Sequence, residues 1–273
     1  MADLLIITGA RAADRAVIAP KELAKRTKTV HIDVDPAEIG KNMSTTVPVV
    51  GDVKVILSQL LAHKPVADTA DWLEDLRARR KRERRDEPVH REGAVSPVTL
   101  MRSLGGKLDD DACVCVDVGQ NQIWAAKHLP LQHGRFLTSG GLGTMGYSLP
   151  AALGAKTAAP GRQTVVVCGD GSFQMSMNEL ATMKNIGADV KIVMIRNGVL
   201  GLVNEIQNKL YSGPFGVDLE HSPDFEKIAA AYGIGSSTVA DDKELDGALS
   251  RMFSEKGPYL LVCRVAPEAT TGD

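Results

Sequence analysis

Two oxygen-bearing side chains, Asp170 and Asn197, each follow an apolar run of strand type. Thr164-Val165-Val166-Val167-Cys168 leads into Gly169-Asp170-Gly171-Ser172, and Val190 to Ile195 leads into Arg196-Asn197-Gly198. A carboxylate oxygen and an amide oxygen are hard donors, suited to a Mg²⁺ that sits beside phosphates. Gly169 and Gly171 leave backbone N–H groups open to a phosphate at a helix start. Between the two runs, about Met175 to Ile186 has helical spacing. Strand, turn, helix and strand make a parallel pair whose carboxyl ends share one sheet edge, where open α/β sheets bind ligands.

Other loops bear on that edge. Gln120 and Asn121 close a further strand, Ala112 to Val116, with side-chain amides that can donate to phosphate oxygens. Alone they would read as an ordinary strand-to-helix turn. Gly140-Gly141-Leu142-Gly143-Thr144-Met145-Gly146 permits close backbone approach to a ligand. Met145 in such a loop can wedge beneath a bent cofactor, although a lone methionine more often only packs.

The elements that must position these residues form a regular series. Leu4 to Ile7 reads as a buried strand, Pro20 to Arg26 as a helix and Thr29 to Val34 as a strand. Pro48 to Asp52 is a third short run, and Val53 to His63 a helix. Past Ser96-Pro97, an N-cap and first-turn proline, come a helix to about Leu104, the strand at 112–116 and a helix at 122–127. Arg135 to Thr138 is extended, and Tyr147 to Thr157 is a small-residue helix. Beyond Asn197, Gly198 to Tyr211 is mixed in character. Then come a helix at 223–232, a strand at 235–239, a helix at 243–253 and a strand at 258–265, with a polar, loose tail from Pro267.

The chain has 273 residues, 44% hydrophobic but only 4% aromatic, so its core is aliphatic. A formal net charge of -2 gives no electrostatic reason to expect nucleic acid. No apolar run is long enough to span a membrane, and no signal-peptide pattern is present; a cytoplasmic protein is the expectation. Four cysteines sit in apolar strands and read as buried reduced thiols. Asp71 to Arg91 is dense in both signs of charge and reads as a solvated helix laced with i,i+4 pairs, running into a linker. It separates a partial α/β domain at 1–63 from a doubly wound domain at 92–273, with 64–91 as charged helix and linker.

Four stretches together carry a family resemblance: Ser139 to Gly146, Gly169-Asp-Gly-Ser-Phe-Gln174, Asp117-Val-Gly-Gln120 with Trp124-Ala-Ala126, and His31 to Asn42. They resemble the large, catalytic subunit of acetolactate synthase, a thiamine diphosphate enzyme family. The resemblance implies a diphosphate-binding domain at the carboxyl end, preceded by the second half of a central FAD-binding-type domain. It places Asp170, Asn197 and the Val199 carbonyl on Mg²⁺, and Gln120, Asn121, Gly169, Gly171, Ser172, Val199, Leu200 and Gly201 around the diphosphate. Gly143 and Met145 would serve the aminopyrimidine loop. Gly9, Ala10, Arg11, Asp33, Val34, Asp52 and Val53 match FAD-contact positions.

The resemblance further implies decarboxylation of pyruvate and condensation with a second 2-oxo acid, as in branched-chain amino-acid synthesis. The glutamate that activates the cofactor belongs to a pyrimidine-binding domain that has no counterpart in this sequence. No catalytic residue is therefore assigned, and low activity of the chain alone is the expectation. A complementary chain or split subunit, a homo- or hetero-oligomer and a small regulatory subunit are the implied partners. Departures from the family pattern bear on specificity. Asn121 stands where histidine is usual, Ile206 where tryptophan is usual and Leu202 where methionine is common. Ala12-Ala13-Asp14-Arg15 replaces Phe-Asp-Asp-Arg beside the flavin. Alternatives are a relative of pyruvate oxidase, glyoxylate carboligase or sulfoacetaldehyde acetyltransferase, or a non-catalytic cofactor-binding fragment.

Overall fold

A computed structural model describes residues 2–13, 16–17, 19–83 and 88–272, with the side chains of 81–83 left out. Asp14 and Arg15, part of the departure beside the flavin positions, lie outside the described residues, as do Arg84 to Glu87 of the charged stretch. The chain divides into two compact units, Met1–Arg85 and Asp86–Asp273.

In the first unit, strands β1 (Leu4–Thr8), β2 (Lys28–Asp33) and β3 (Val47–Val50) form a parallel sheet in the order β1-β2-β3. Helices α1 (Pro20–Arg26), α2 (Val53–Ala62) and α3 (Ala70–Glu83) complete it. Asp52 caps α2, its carboxylate accepting the Val55 N–H at 3.0 Å. Strand β1 was expected to be buried and is not: Leu4 is 48% and Ile6 49% exposed. The reason is its place at the edge of a small sheet, whereas central β2 buries Ile32 fully. Helix α3 is the charged segment, and Arg79 pairs with Asp75 across one turn at 3.0 Å.

The second unit begins with α4 (Pro97–Gly105) and β4 (Cys113–Val116), then α5 (Gln120–His128), β5 (Arg135–Thr138) and α6 (Ser148–Ala158). Then follow β6 (Thr164–Gly169), α7 (Asp170–Gln174), α8 (Glu179–Asn185), β7 (Val190–Arg196) and α9 (Gly201–Leu210). It ends with α10 (Phe225–Ala231), β8 (Gly235–Val239), α11 (Asp242–Ser254) and β9 (Tyr259–Arg264). The six strands are all parallel, in the order β5-β4-β6-β7-β9-β8. The chain lays β5 on one side of β4, then crosses to lay β6 on the other. The point where the order reverses is therefore the β4–β6 boundary, the crevice position of doubly wound sheets.

Both faces of this sheet are covered. One hydrophobic cluster holds Leu100, Leu104, Trp124, Val165, Val193 and Leu249; the other holds Leu149, Val166, Phe173, Leu180, Ile192 and Phe225. Alternate residues of β6 and β7 feed the two clusters, which is why these strands read as unbroken apolar runs rather than alternating ones. The four cysteines are free and buried, as expected. Burial pushes the Cys115 and Cys263 thiols up, which keeps them protonated.

Several boundaries differ from the sequence reading. Of the helix expected from about Met175 to Ile186, Glu179–Asn185 is helical, and a separate short helix, α7, precedes it and starts at Asp170. Ser172 Oγ accepts the Gly169 N–H at 3.1 Å and donates to the Gly169 carbonyl, so the chain turns helical directly at the strand end. Residues 175–178 are turns, and α8 follows. Ser96 stands at the N-cap of α4 but its side chain makes no capping bond. The Asp242 carboxylate takes the Ser96 N–H instead, at 2.8 Å. The mixed segment after Gly198 is a ten-residue helix, α9. Among the described residues no helix is long and apolar enough to cross a membrane.

Candidate cofactor and metal site

The carboxyl ends of β4, β6 and β7 bring three short loops together. Asp170 is the first residue of α7 and is 1% exposed. Its Oδ2 accepts the Gly198 N–H at 2.9 Å, and its Oδ1 accepts its neighbour's, Gly171 N–H, at 3.0 Å. Burial raises its pKa, with the backbone bonds and the Arg196 charge opposing the rise. A carboxylate buried on backbone dipoles, with strand ends on either side, fits a divalent cation that would offset the burial. Asn197, also buried, accepts the Val199 N–H on Oδ1 at 3.2 Å. The Val199–Asp218 bridge holds the next turn, with Leu200 N–H donating to Val217 and Leu219 N–H to Gly198, both at 2.8 Å. Asp170, Asn197 and the Val199 backbone are thus within one turn of each other. Asn197 and Gly198 also face an open cavity of about 430 Å³, so this edge is reachable from solvent.

Among the described residues no three His, Cys, Asp or Glu side chains cluster to hold a metal ion. The donor set here is of a different composition: one carboxylate, one amide and backbone carbonyls. It suits a cation whose remaining ligands come from water and phosphate.

Gln120 and Asn121 stand in the first turn of α5 rather than in a loop before it. Both side-chain amides are turned to protein acceptors. Asn121 Nδ2 donates to the Asp117 carbonyl at 2.7 Å, tying the end of β4 to the helix. Gln120 Nε2 donates to the Ala269 carbonyl at 2.8 Å and to Glu205 at 3.2 Å. Gln120 Oε1 accepts from Asn197 Nδ2 at 3.2 Å, so the two loops meet through their side chains. Gly201 sits against this pair: a Cβ there would fall 2.0 Å from Gln120 Oε1 and 2.7 Å from Asn197 Nδ2. Only glycine lets α9 start so close.

The glycine-rich loop reaches the same place. A Cβ on Gly171 would lie 2.7 Å from Leu200 Cδ2 and 3.6 Å from Met145 Cε, so Met145, Gly171 and Leu200 are mutual neighbours. Gly143 adopts φ +68° at the exposed crest of the loop. The base of the loop is fixed by Asp117, which is fully buried. Its carboxylate accepts the Gly146 N–H at 2.9 Å, the Ser148 N–H at 2.8 Å and the Ser148 hydroxyl at 2.6 Å. No role was assigned to Asp117 from sequence. Its position, immediately after a buried strand, was the available signal.

Glu205 was likewise missed, because α9 read as mixed and a single acid in it carried no pattern. It is nearly buried and takes bonds from Lys209 Nζ at 2.7 Å and from the Thr271 N–H at 3.0 Å and hydroxyl at 2.9 Å. Burial works to raise its pKa, but the bonds from Lys209, Thr271 and Gln120 outweigh that and hold it at about 2. The tail expected to be loose is therefore anchored. Ala269 is 2% exposed, Trp124 Nε1 donates to the Thr270 carbonyl at 3.1 Å and Lys127 to the Thr271 carbonyl at 2.7 Å. Polar side chains in the tail mislead because here they meet buried partners rather than water.

In the first unit, the flavin-type positions also gather at the carboxyl edge of their sheet. Gly9, at φ +57°, donates its N–H to Ile32, and Gly51 donates to Asp33, both at 2.9 Å. Asp33 Oδ1 accepts the Asp35 N–H at 2.9 Å. Asp52 is occupied as the cap of α2, and Val53 lies across from Gly9. Arg11 and Val34 stand exposed on the loops that follow the strands.

Comparison with known proteins agrees with this geometry. Residues 117–263 match the family model described as thiamine pyrophosphate enzyme, C-terminal TPP binding domain, and residues 1–60 match the central domain of the same enzymes. Acetolactate synthase of Arthrospira platensis is 38% identical over 275 residues, covering 96% of this chain and 46% of the relative. The acetolactate synthase large subunit of Lactococcus lactis subsp. lactis is 36% identical, covering 95% of this chain and 45% of that protein. The isozyme 1 large subunit of Escherichia coli K12 is 36% identical, covering 98% and 48%. The chain thus spans about half the length of the curated relatives it matches. With its glycine loop, its Gly169-Asp170-Gly171 turn and Asn197 all at the carboxyl edge of one parallel sheet, the chain belongs to the thiamine pyrophosphate enzymes, whose C-terminal binding domain it carries.

Proposed function

We propose that this chain forms the diphosphate-holding part of an acetolactate synthase catalytic subunit. The observation that carries the reading is the convergence of buried Asp170 and Asn197 at the β6 and β7 ends, with Met145 packed beside Gly171. Asp170 and Asn197 would hold Mg²⁺, with the Val199 carbonyl as a third ligand. The start of α9 at Gly201 presents backbone N–H groups to the diphosphate. Met145, on a loop pinned by Asp117, would support the cofactor between its two rings. When bound, thiamine diphosphate supplies the carbanion-stabilising chemistry by which pyruvate loses CO₂ and joins a second 2-oxo acid. Half-buried Leu202 and exposed Ile206, on α9, are placed to line the approach of that second acid.

The activating glutamate is assigned to a pyrimidine-binding part, in a longer polypeptide or in another chain. We assign FAD contacts to the Gly9–Arg11, Asp33–Val34 and Asp52–Val53 edge of the first unit. A small regulatory subunit is a further partner of this reading, and the cytoplasm its setting.

Calorimetry with thiamine diphosphate and Mg²⁺ tests the cofactor assignment. Binding is expected for the chain as it stands and is expected to vanish in Asp170→Asn. In cofactor-free protein, Asp170→Asn should leave the melting temperature unchanged or raise it, because a buried charge without its cation is removed. Equal binding by parent and variant would remove Asp170 from the metal. Acetolactate formation on mixing with a pyrimidine-binding partner tests the reaction.

A further inference from the structure

Glu205 belongs to none of the residues assigned to metal or cofactor, yet it sits at the head of a chain of side chains that ends on one of them. Its carboxylate receives Gln120 Nε2, the Thr271 N–H and hydroxyl, and Lys209 Nζ, and it is nearly buried. An ionised carboxylate only accepts hydrogen bonds, while the amides of glutamine and asparagine can face either way. Glu205 therefore decides which end of Gln120 points at it: the NH₂. The Ala269 carbonyl takes the second amide proton at 2.8 Å. Gln120 Oε1 is left facing Asn197, whose Nδ2 donates to it at 3.2 Å. Asn197 Oδ1 then points toward the Val199 turn, where the Val199 N–H meets it at 3.2 Å. Two acceptor-only groups, Glu205 and the Ala269 carbonyl, thus set the Gln120 amide, and Gln120 Oε1 together with the Val199 N–H sets that of Asn197.

We propose that Glu205 is a positioning residue that, through Gln120, sets the Asn197 amide with its oxygen toward the metal position. A flipped Asn197 would present NH₂ to a cation and could not ligate it. The inference rests on the Mg²⁺ reading above, but the orientation of the amides can be measured without cofactor. It also gives Gln120 a function in orienting Asn197, distinct from direct contact with phosphate.

Two readouts test it. In cofactor-free protein, the side-chain amide resonances of Asn197, identified by their loss in Asn197→Asp, should shift in Glu205→Leu, although Gln120 lies between the two residues. They should stay in place in Lys209→Met, which weakens the same corner without removing the acceptor. With thiamine diphosphate present, Mg²⁺ affinity should fall about tenfold in Glu205→Leu and stay within about threefold in Glu205→Gln, which keeps an acceptor oxygen toward Gln120. Unmoved Asn197 resonances in Glu205→Leu would overturn the relay, as would equal losses of affinity in the Leu and Gln variants. If Glu205→Leu fails to fold, Gln120→Met replaces it; the same displacement of the Asn197 resonances is expected, and its absence would equally overturn the relay. If the parent binds no thiamine diphosphate, the cofactor reading falls and the resonances alone judge the relay.

Discussion

Two parallel sheets in this chain offer loops at their carboxyl edges, and they treat polar groups in opposite ways. In the six-stranded sheet, β4, β6 and β7 are buried on both faces, and the residues that follow them, Asp117, Asp170 and Asn197, are buried as well. In the three-stranded sheet, β1 and β3 are largely exposed, and Gly9, Val34 and Asp52 lie open to solvent. A polar group lifted out of water must find a protein partner, while an exposed one need not. The first edge has consequently grown a connected network through Asn197, Gln120, Glu205 and Thr271. At the second edge the side-chain carboxylates make local turn and cap bonds, Asp33 to Asp35 and Asp52 to Val55, and the longer bonds end on backbone carbonyls, as from Asn42 to Arg11. Shared topology places loops at an edge; burial decides whether those loops become a rigid, preorganised site.

The widest contrast is expected from one extra methyl group. In Gly201→Ala the new Cβ would collide with Gln120 Oε1 and Asn197 Nδ2, at 2.0 and 2.7 Å, inside a packed corner. We expect a stability loss of about 1–3 kcal/mol, as for an overpacked core. Thiamine diphosphate and Mg²⁺ affinity should fall on the order of a hundredfold, since two neighbouring site residues are displaced; on the free-energy scale that is about 2.7 kcal/mol. Gly9→Ala supplies the comparison. Its Cβ would meet only Val53 Cγ2, at 4.0 Å, so the cost is the φ of +57° alone, about 1–2 kcal/mol. Cofactor affinity should not change. Similar affinity losses in both variants would erase the distinction between the two edges.

Acid should dismantle the buried network in a defined window. Glu205 has its pKa lowered from 4.5 to about 2 in the folded protein. A depressed carboxylate contributes stability that is fully present above its unfolded value and is lost as pH falls toward its folded value. Each tenfold difference in proton affinity between the two states corresponds to roughly 1.4 kcal/mol, so the contribution is on the order of a few kcal/mol. It should therefore disappear between about pH 4.5 and pH 2. Urea titrations across that range should show a steeper fall for the parent than for Glu205→Gln. Identical pH profiles for parent and Glu205→Gln would mean the carboxylate is not held as the geometry implies.

These contrasts also mark what the sequence could reveal. The alternation of apolar runs with helical stretches located most strands within a residue or two, because buried parallel strands are continuous apolar segments. Asp170, Asn197 and the glycine loop were legible because strand ends, glycine and oxygen donors are local signals. Glu205 and the tail were not, since their partners lie far along the chain: Gln120 bonds Glu205 across 85 residues and Ala269 across 149. Nothing local marks an acid that will be buried by a distant segment. The burial predicted for β1 failed for the related reason that an apolar run reports the ability to be covered, not the presence of a cover.

The smallest expected effect compares one motif in the two units. Lys209 bonds Glu205, and Arg79 bonds Asp75, each one helical turn apart, at 2.7 and 3.0 Å. By spacing the pairs are equivalent. They differ in the acid: the Glu205 side chain is 8% exposed and Asp75 is 45% exposed. An exposed i,i+4 pair contributes about 0.3–0.5 kcal/mol, and salt screens it. A charge on a nearly buried carboxylate acts through a lower effective dielectric, and removing it leaves the acid with only neutral donors. Lys209→Met should therefore cost about 1 kcal/mol and raise the Glu205 pKa, while Arg79→Met should cost a few tenths. Denaturant midpoints at low and high salt separate the two, since the Arg79 effect should fade with added salt and the Lys209 effect should largely persist. Equal, salt-sensitive losses would show that Glu205 is as well hydrated as a surface acid, and the contrast between the two edges would then rest on topology alone.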